Sequence, residues 1–292
     1  MRSPLQNVNV ATIGNYFTEE FRQPRSALIF FKGLVLYTFV KILFIWNVSA
    51  TFLQYHRISK PGSLLGKILL LPSFLAEMNV HVFYFATLVF VIVAFFVKPY
   101  YVIRFLFFYL TFNLYVINLP IANGSDIVLF MLSFWCILMG GSPSRSQNVK
   151  TDVQKVTFNL GLVLCQLQII NIYLISGLDK LFSKLWRSGD AFAFITHLDF
   201  YFNPILPGIF SSDPWNFVFS WATILFELLF VVLAWNKRTR LPIIVAGIFF
   251  NLFIWIVLSI PDFALLMMIS FLIFLKDEDY QRLMNRFRRS PL

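Results

Sequence analysis

Charge is the scarcest property of this sequence. Only 13% of its 292 residues are Asp, Glu, Lys or Arg, against about 25% in an average soluble domain. A surface so poor in charge cannot be kept in water, which excludes a soluble globular enzyme. Histidine is sparse as well: His56, His81 and His197 lie far apart and lack the spacing of ligands, so no metal site is expected of them. The two cysteines, Cys136 and Cys165, sit inside apolar runs and supply neither a disulfide framework nor a metal pair. There is no Gly-rich phosphate loop, no nucleophile elbow and no set of paired cytosolic carboxylates, so the chain reads as neither an ATP-driven machine nor a hydrolase. No polar stretch is long enough to fold separately, and no internal repeat stands out.

What the sequence has instead is apolar mass. Hydrophobic residues make up 59% of the chain and 37 residues are Phe; the mean hydropathy is +0.74. A helix needs about 20 mostly apolar residues to cross the hydrocarbon. Candidate spans fall at 27–46, 80–97, 100–119, 125–140, 156–176, 214–235, 241–260 and 262–275. The fold class expected is an all-α integral membrane protein, a single bundle of about eight transmembrane helices. Residues 1–26 form an N-terminal segment, 27–275 the bundle and 276–292 a basic tail. Residues 64–76, interrupted by Pro72, are too short to span and fit an interfacial or re-entrant segment. Met1 to Arg25 lacks an apolar core with a small-residue cleavage site, so the first span is expected to stay as an anchor.

The net charge of +10 suits cytoplasmic loops facing anionic lipid. Nucleic acid is not an expected partner, because no basic stretch is interleaved with aromatics as a base-stacking surface would be. With eight spans and the N-terminus inside, sixteen of the 24 Lys and Arg residues fall on the inner side and six on the outer, with Lys32 and Lys41 inside the first span. The positive-inside rule then places both termini in the cytoplasm and the segment from Gly177 to Asp213 outside.

Ionisable and amide groups at membrane depth are costly and point to function. The densest group runs from Gln166 to Asp190. On helical spacing Tyr173, Gly177, Lys180 and Lys184 share one face, with Trp186 and Arg187 following. A partly buried lysine there is a candidate base. An interfacial anchor, with Lys, Arg and Trp reaching the headgroups, accounts for the same residues. Glu227 is a lone carboxylate within an apolar helix, suited to orienting Lys180 or a backbone group, to relaying a proton, or to structural pairing. Asn251 suits a hydrogen bond between helices, and Asp126 a helix N-cap.

The stretch QLQIINIYLISGLDKLFSKLWRSGDA resembles the signature of the HTTM ("horizontally transferred transmembrane") family, which includes the membrane domain of vitamin K-dependent gamma-carboxylases and many bacterial membrane proteins. The family pattern is a polar helix, a Tyr-x-x-Ser/Ala-Gly-x-x-Lys-Leu step and then Trp-x-x-Gly. Tyr173, Ser176, Gly177, Lys180, Leu181, Trp186 and Gly189 occupy those positions. Glu227, the NKRTR loop, Asn251 and Asp262-Phe263 are similar to the family's later series. The resemblance implies Lys180 as the catalytic base acting on an isoprenoid quinone or lipid-like cofactor. Tyr173, Gly177, Lys184, Trp186 and Asn123 would contact substrate or cofactor, with Glu227 and Asn251 behind them. It also implies a bacterial cytoplasmic (inner) membrane, with the lysine motif facing the periplasm or exterior.

Gly124 stands where a family histidine follows the Asn, Asn251 stands where a second one is found, and no stretch within these 292 residues is polar and long enough for the large extramembrane domain of the carboxylases. These departures point away from vitamin K-dependent carboxylation. Two functions stay open: an enzyme that modifies an exported peptide or protein, and a non-catalytic subunit or scaffold for maturation or export of a secreted peptide or envelope protein. Both have the lipid bilayer as partner, and both admit a membrane or secreted protein or peptide. A transporter is disfavoured by the sparse midplane charge and the absence of repeat symmetry.

Overall fold

The computed structural model describes residues 17–18, 20–46, 63–70, 79–141, 152–196, 198 and 213–280. Among them there is no strand, and every one of the eight apolar runs is helical. The helices are α1 (Pro24–Ile45), α2 (Leu64–Leu69), α3 (Val80–Phe96), α4 (Tyr101–Ile117), α5 (Gly124–Ile137), α6 (Asp152–Phe182), α7 (Lys184–Ser188), α8 (Asp190–Thr196), α9 (Asp213–Leu233), α10 (Arg240–Leu258) and α11 (Pro261–Ser270). Among the described residues, four helices are long and apolar enough to cross a membrane: Pro24–Ile45, Asp152–Phe182, Pro214–Leu233 and Arg240–Leu258. Four more are apolar but shorter: Val80–Phe96, Tyr101–Ile117, Gly124–Gly140 and Pro261–Phe274. The outward sides of the long helices are covered with half-exposed Leu, Phe and Val, such as Leu225, Leu229, Phe249 and Ile256. Only lipid hydrocarbon accepts such surface without cost.

Local chemistry sets the helix ends. Pro24 opens α1, where its missing N–H costs nothing. The Asn79 side chain accepts a hydrogen bond from the His81 amide at the start of α3, and Ser63 accepts one from the Gly66 amide at the start of α2. Ser259 takes a left-handed conformation (φ 53°) after α10, and Pro261 starts α11 two residues later. Asp126 does not cap α5. Asn123 does, accepting from the Ser125 amide at 2.8 Å, while Asp126 lies within the first turn.

The chain divides into two compact units. The first comprises Met1–Ala122, Asp126–Cys165 and Lys276–Leu292. Its core packs α1 against α3 through Ile42, Phe83 and Tyr84, joined by Leu114 and Ile117 of α4. The Tyr84 hydroxyl donates to Asn118 Oδ1 at 2.7 Å. Arg104 is fully buried in α4. Its Nε donates to the Pro99 carbonyl at 3.0 Å, and its guanidinium lies 4.4 Å from the Phe31 ring centroid. Lys41 of α1 and Asp126 of α5 form an ion pair at 2.8 Å, each side chain only 4% exposed.

The second unit comprises Asn123–Ser125 and Gln166–Leu275. It contains the C-terminal half of α6 and all of α7 to α11. Residues 156–176 were expected as a span, but α6 continues to Phe182. Gly177 does not end the helix because it is used for close packing. A Cβ there would lie 2.9 Å from Leu228 Cδ2 and 3.2 Å from Glu227 Cβ. Ser183, in an extended conformation (ψ 126°), is what breaks α6 from α7.

Candidate functional site

A cavity of about 250 Å³ lies within the second unit, enclosed by α6, α7, α8, α9, α10 and α11. Its polar centre is built from two helices brought together by the missing side chain of Gly177. Lys180 Nζ donates to both carboxylate oxygens of Glu227, at 2.9 Å each. Ser176, one turn before Lys180, accepts from the ammonium through its hydroxyl and donates to Glu227 Oε1 at 3.1 Å. The Lys180 ammonium also lies 5.1 Å from the Trp186 ring centroid, a cation–π distance. The pair is mostly enclosed, with side-chain exposures of 17% for Lys180 and 7% for Glu227. Lys180 was counted among outer-loop cations; in the fold it belongs to α6 and to this pair.

A second polar point lies about 10 Å further along α6 at 1.5 Å per residue. The Asn251 side-chain amide donates to the Gly247 carbonyl at 2.8 Å and makes a longer contact, 3.4 Å, to the Tyr173 hydroxyl. Asn251 Oδ1 is buried and has no hydrogen-bond partner. Tyr173 is held edge-on to Phe226 and tilted on Phe230, at centroid distances of 5.6 and 4.7 Å. The remaining wall is apolar, with Phe192, Phe250, Phe253, Ile254 and Phe263 prominent. Phe192, Phe219 and Phe253 stack on one another at 5.0 to 6.1 Å.

The fold therefore brings Tyr173, Lys180, Trp186, Glu227 and Asn251 to one cavity. Gly177 sits behind its wall as the close-approach point between α6 and α9. Lys184 does not join the face expected of it, because the break at Ser183 interrupts the helix and leaves this residue exposed. Asn123 is not among the lining residues. Its Nδ2 donates to Asp262 Oδ2 at 2.6 Å, and the Ser125 hydroxyl donates to the same oxygen at 2.9 Å. The lining residues Thr223 and Phe192 were not singled out from the sequence. Thr223 had a visible signal, lying four residues before Glu227 and therefore on the same face.

Among the described residues, no group of three or more His, Cys, Asp or Glu side chains is placed to hold a metal ion; His56 and His197 lie outside them. No protein-family model, no curated protein and no solved structure matches the chain. The HTTM resemblance thus rests on the residues quoted for it.

Proposed function

We propose that this is an HTTM-type integral membrane protein whose eight apolar helices all cross the bilayer, with both termini cytoplasmic and the Lys180 cavity on the outer half. Within it the cavity binds the polar head of a quinone- or lipid-like molecule, and Lys180 serves as the base that acts on it. The exported substrate is a peptide or protein. The observation that carries this reading is the Lys180–Glu227–Ser176 centre in an apolar cavity that also presents Tyr173 and an unpartnered Asn251 oxygen.

The cavity volume favours a head over a tail. An engineered cavity of about 150 Å³ holds one benzene, so about 250 Å³ suits a head group of one or two rings. A long apolar tail would run along the half-exposed helix faces into lipid, gaining about 25 cal/mol per Å² over water. The pair also makes the chemistry workable. An ammonium held by a carboxylate is not a base, but moving one proton from Nζ to Glu227 leaves a neutral amine and a neutral acid. The amine then takes a proton from the bound head, with no charge left unpaired in a low-dielectric site.

One observation favours a second reading. Lys180 is fully engaged by Glu227 and Ser176, as a purely structural pair would be. In that case the bundle is a scaffold or subunit for maturation or export of a secreted peptide or envelope protein. Native mass spectrometry of the protein extracted in mild detergent from its host separates the two. A small molecule with an apolar tail, bound stoichiometrically and reduced at least tenfold by Lys180→Ala, is expected. A stoichiometric protein or peptide partner with no small ligand would overturn the catalytic reading.

A further inference from the structure

Along α9, Asn216, Ser220, Thr223 and Glu227 follow at steps of four, three and four residues. At 100° per residue they fall within a sector about 60° wide. The whole sector is turned inward. Asn216 is 2% exposed, Ser220 is fully buried and Glu227 is 6% exposed. The opposite faces of the same helix carry Phe217, Val218, Leu225 and Val232, each about half or more exposed. Beyond Glu227 the inward sector becomes apolar at Phe230, which is fully buried. The polar sector thus begins near the start of the helix and stops at the Lys180–Glu227 pair.

Among the described residues, its first two members have no hydrogen-bond partners. Both amide atoms of Asn216 and the Ser220 hydroxyl are buried without a hydrogen bond. Each such group costs about 1–3 kcal/mol when left unpaired, and protein interiors remove that cost with ordered water when side chains cannot. Thr223 donates to the Phe219 carbonyl at 2.8 Å, which leaves its lone pairs to accept, and both Thr223 and Glu227 line the cavity. Between Asn216 and Glu227 the helix carries no charged side chain, so this stretch is not built to recognise an ion. Small neutral polar groups, spaced one turn apart and ending at a carboxylate, fit water.

We propose that this sector is a hydrated track that carries water and protons between the N-terminal end of α9 and the Lys180–Glu227 pair. Asn216 to Glu227 is about 16 Å along the helix, which about six hydrogen-bonded oxygens at 2.8 Å spacing bridge. A proton leaves the pair when the O–H bond on Glu227 breaks and a new O–H bond forms to the nearest water. That water passes one of its own protons to the next, and the Ser220 hydroxyl can take one and give one. Asn216 does not relay; its amide orients the outermost water. The reverse sequence reloads the pair. The track serves the pair whatever the cavity holds, so its test is independent of the ligand reading.

The test is thiol labelling in lipid vesicles, in a full-length background with Cys136 and Cys165 replaced by Ala. Single cysteines are placed at Asn216, Ser220 and Thr223, with Leu225→Cys as the lipid-facing control. A small charged methanethiosulfonate reacts with a thiolate, which forms only where water reaches. Ser220→Cys and Thr223→Cys are expected to label at least tenfold faster than Leu225→Cys. A bulky plug, Ser220→Leu, is expected to slow labelling of Thr223→Cys at least tenfold while leaving Asn216→Cys unchanged. If Ser220→Leu fails to fold, Ser220→Val serves as the plug. Labelling at Ser220→Cys no faster than at Leu225→Cys overturns the track, as does a plug without effect on Thr223→Cys.

Discussion

Each unit of the molecule holds one buried lysine–carboxylate pair, and the two are built differently. Lys41 and Asp126 meet at 2.8 Å with 4% of each side chain exposed, and neither lines a described cavity. Lys180 and Glu227 meet at 2.9 Å, but the lysine is 17% exposed, a hydroxyl bridges the two groups and a cavity of about 250 Å³ borders them. Burying two charges is repaid only by close geometry and extra hydrogen bonds. The closed pair spends its attraction on holding helices together. The open pair has the same attraction and also a face that another molecule can reach. On the function proposed above, access rather than pairing alone distinguishes Lys180 from Lys41.

The sharpest way to break this comparison is to remove one partner from the closed pair. Asp126→Leu leaves the Lys41 ammonium buried without its carboxylate and is expected to cost about 3–5 kcal/mol, read as a loss of thermal stability in detergent. The double variant Lys41→Met with Asp126→Leu is expected to recover most of that loss, because an apolar pair carries no desolvation cost. Wild-type stability in Asp126→Leu alone would mean that Lys41–Asp126 is not the structural member of the two.

The open pair is expected to respond less in stability and more in binding. In Glu227→Gln, Lys180 keeps Ser176 as an acceptor and keeps its partial exposure, so a loss of about 1 kcal/mol is expected, discounted for the exposed part of the lysine. The proton store is lost, and retention of the small molecule in native mass spectra is expected to fall at least tenfold. A stability loss as large as that of Asp126→Leu, with ligand retention unchanged, would erase the distinction between the pairs.

The sequence makes the helices legible and the pairing legible only in part, for different physical reasons. Hydrophobic runs report burial or lipid contact directly, so each of the eight runs is a helix within a few residues, apart from α6. There the apolar run stops at 176, while the helix continues to Phe182. Tyr173 and Lys180 could be placed on one face from their spacing. Lys184 could not, because a single extended residue, Ser183, redirects the chain and leaves no compositional trace. Lys180 and Glu227 are 47 residues apart; a lone carboxylate in an apolar helix suggests Glu227 as a group that could orient Lys180, but nothing local fixes that choice. The same holds for Lys41, whose carboxylate was read as a cap. The polar sector of α9 is the intermediate case: its spacing is visible, but only burial shows that Asn216 and Ser220 face inward.

The smallest expected stability effect concerns the far point of the cavity. Tyr173→Phe removes only a hydroxyl whose contact with Asn251 is 3.4 Å long, at the weak end for a hydrogen bond. The ring remains packed between Phe226 and Phe230. Stability is expected to change by less than about 0.5 kcal/mol, because most of what Tyr173 contributes is apolar contact. The hydroxyl and the unpartnered Asn251 oxygen nevertheless form a donor and an acceptor side by side in an apolar wall. A head group that meets both loses one bond in Tyr173→Phe, so its dissociation constant is expected to rise about threefold to tenfold, in line with one neutral hydrogen bond. Unchanged affinity would confine the ligand to the Lys180 end, whereas a stability loss above about 1 kcal/mol would make the Tyr173–Asn251 contact a second structural link like Lys41–Asp126.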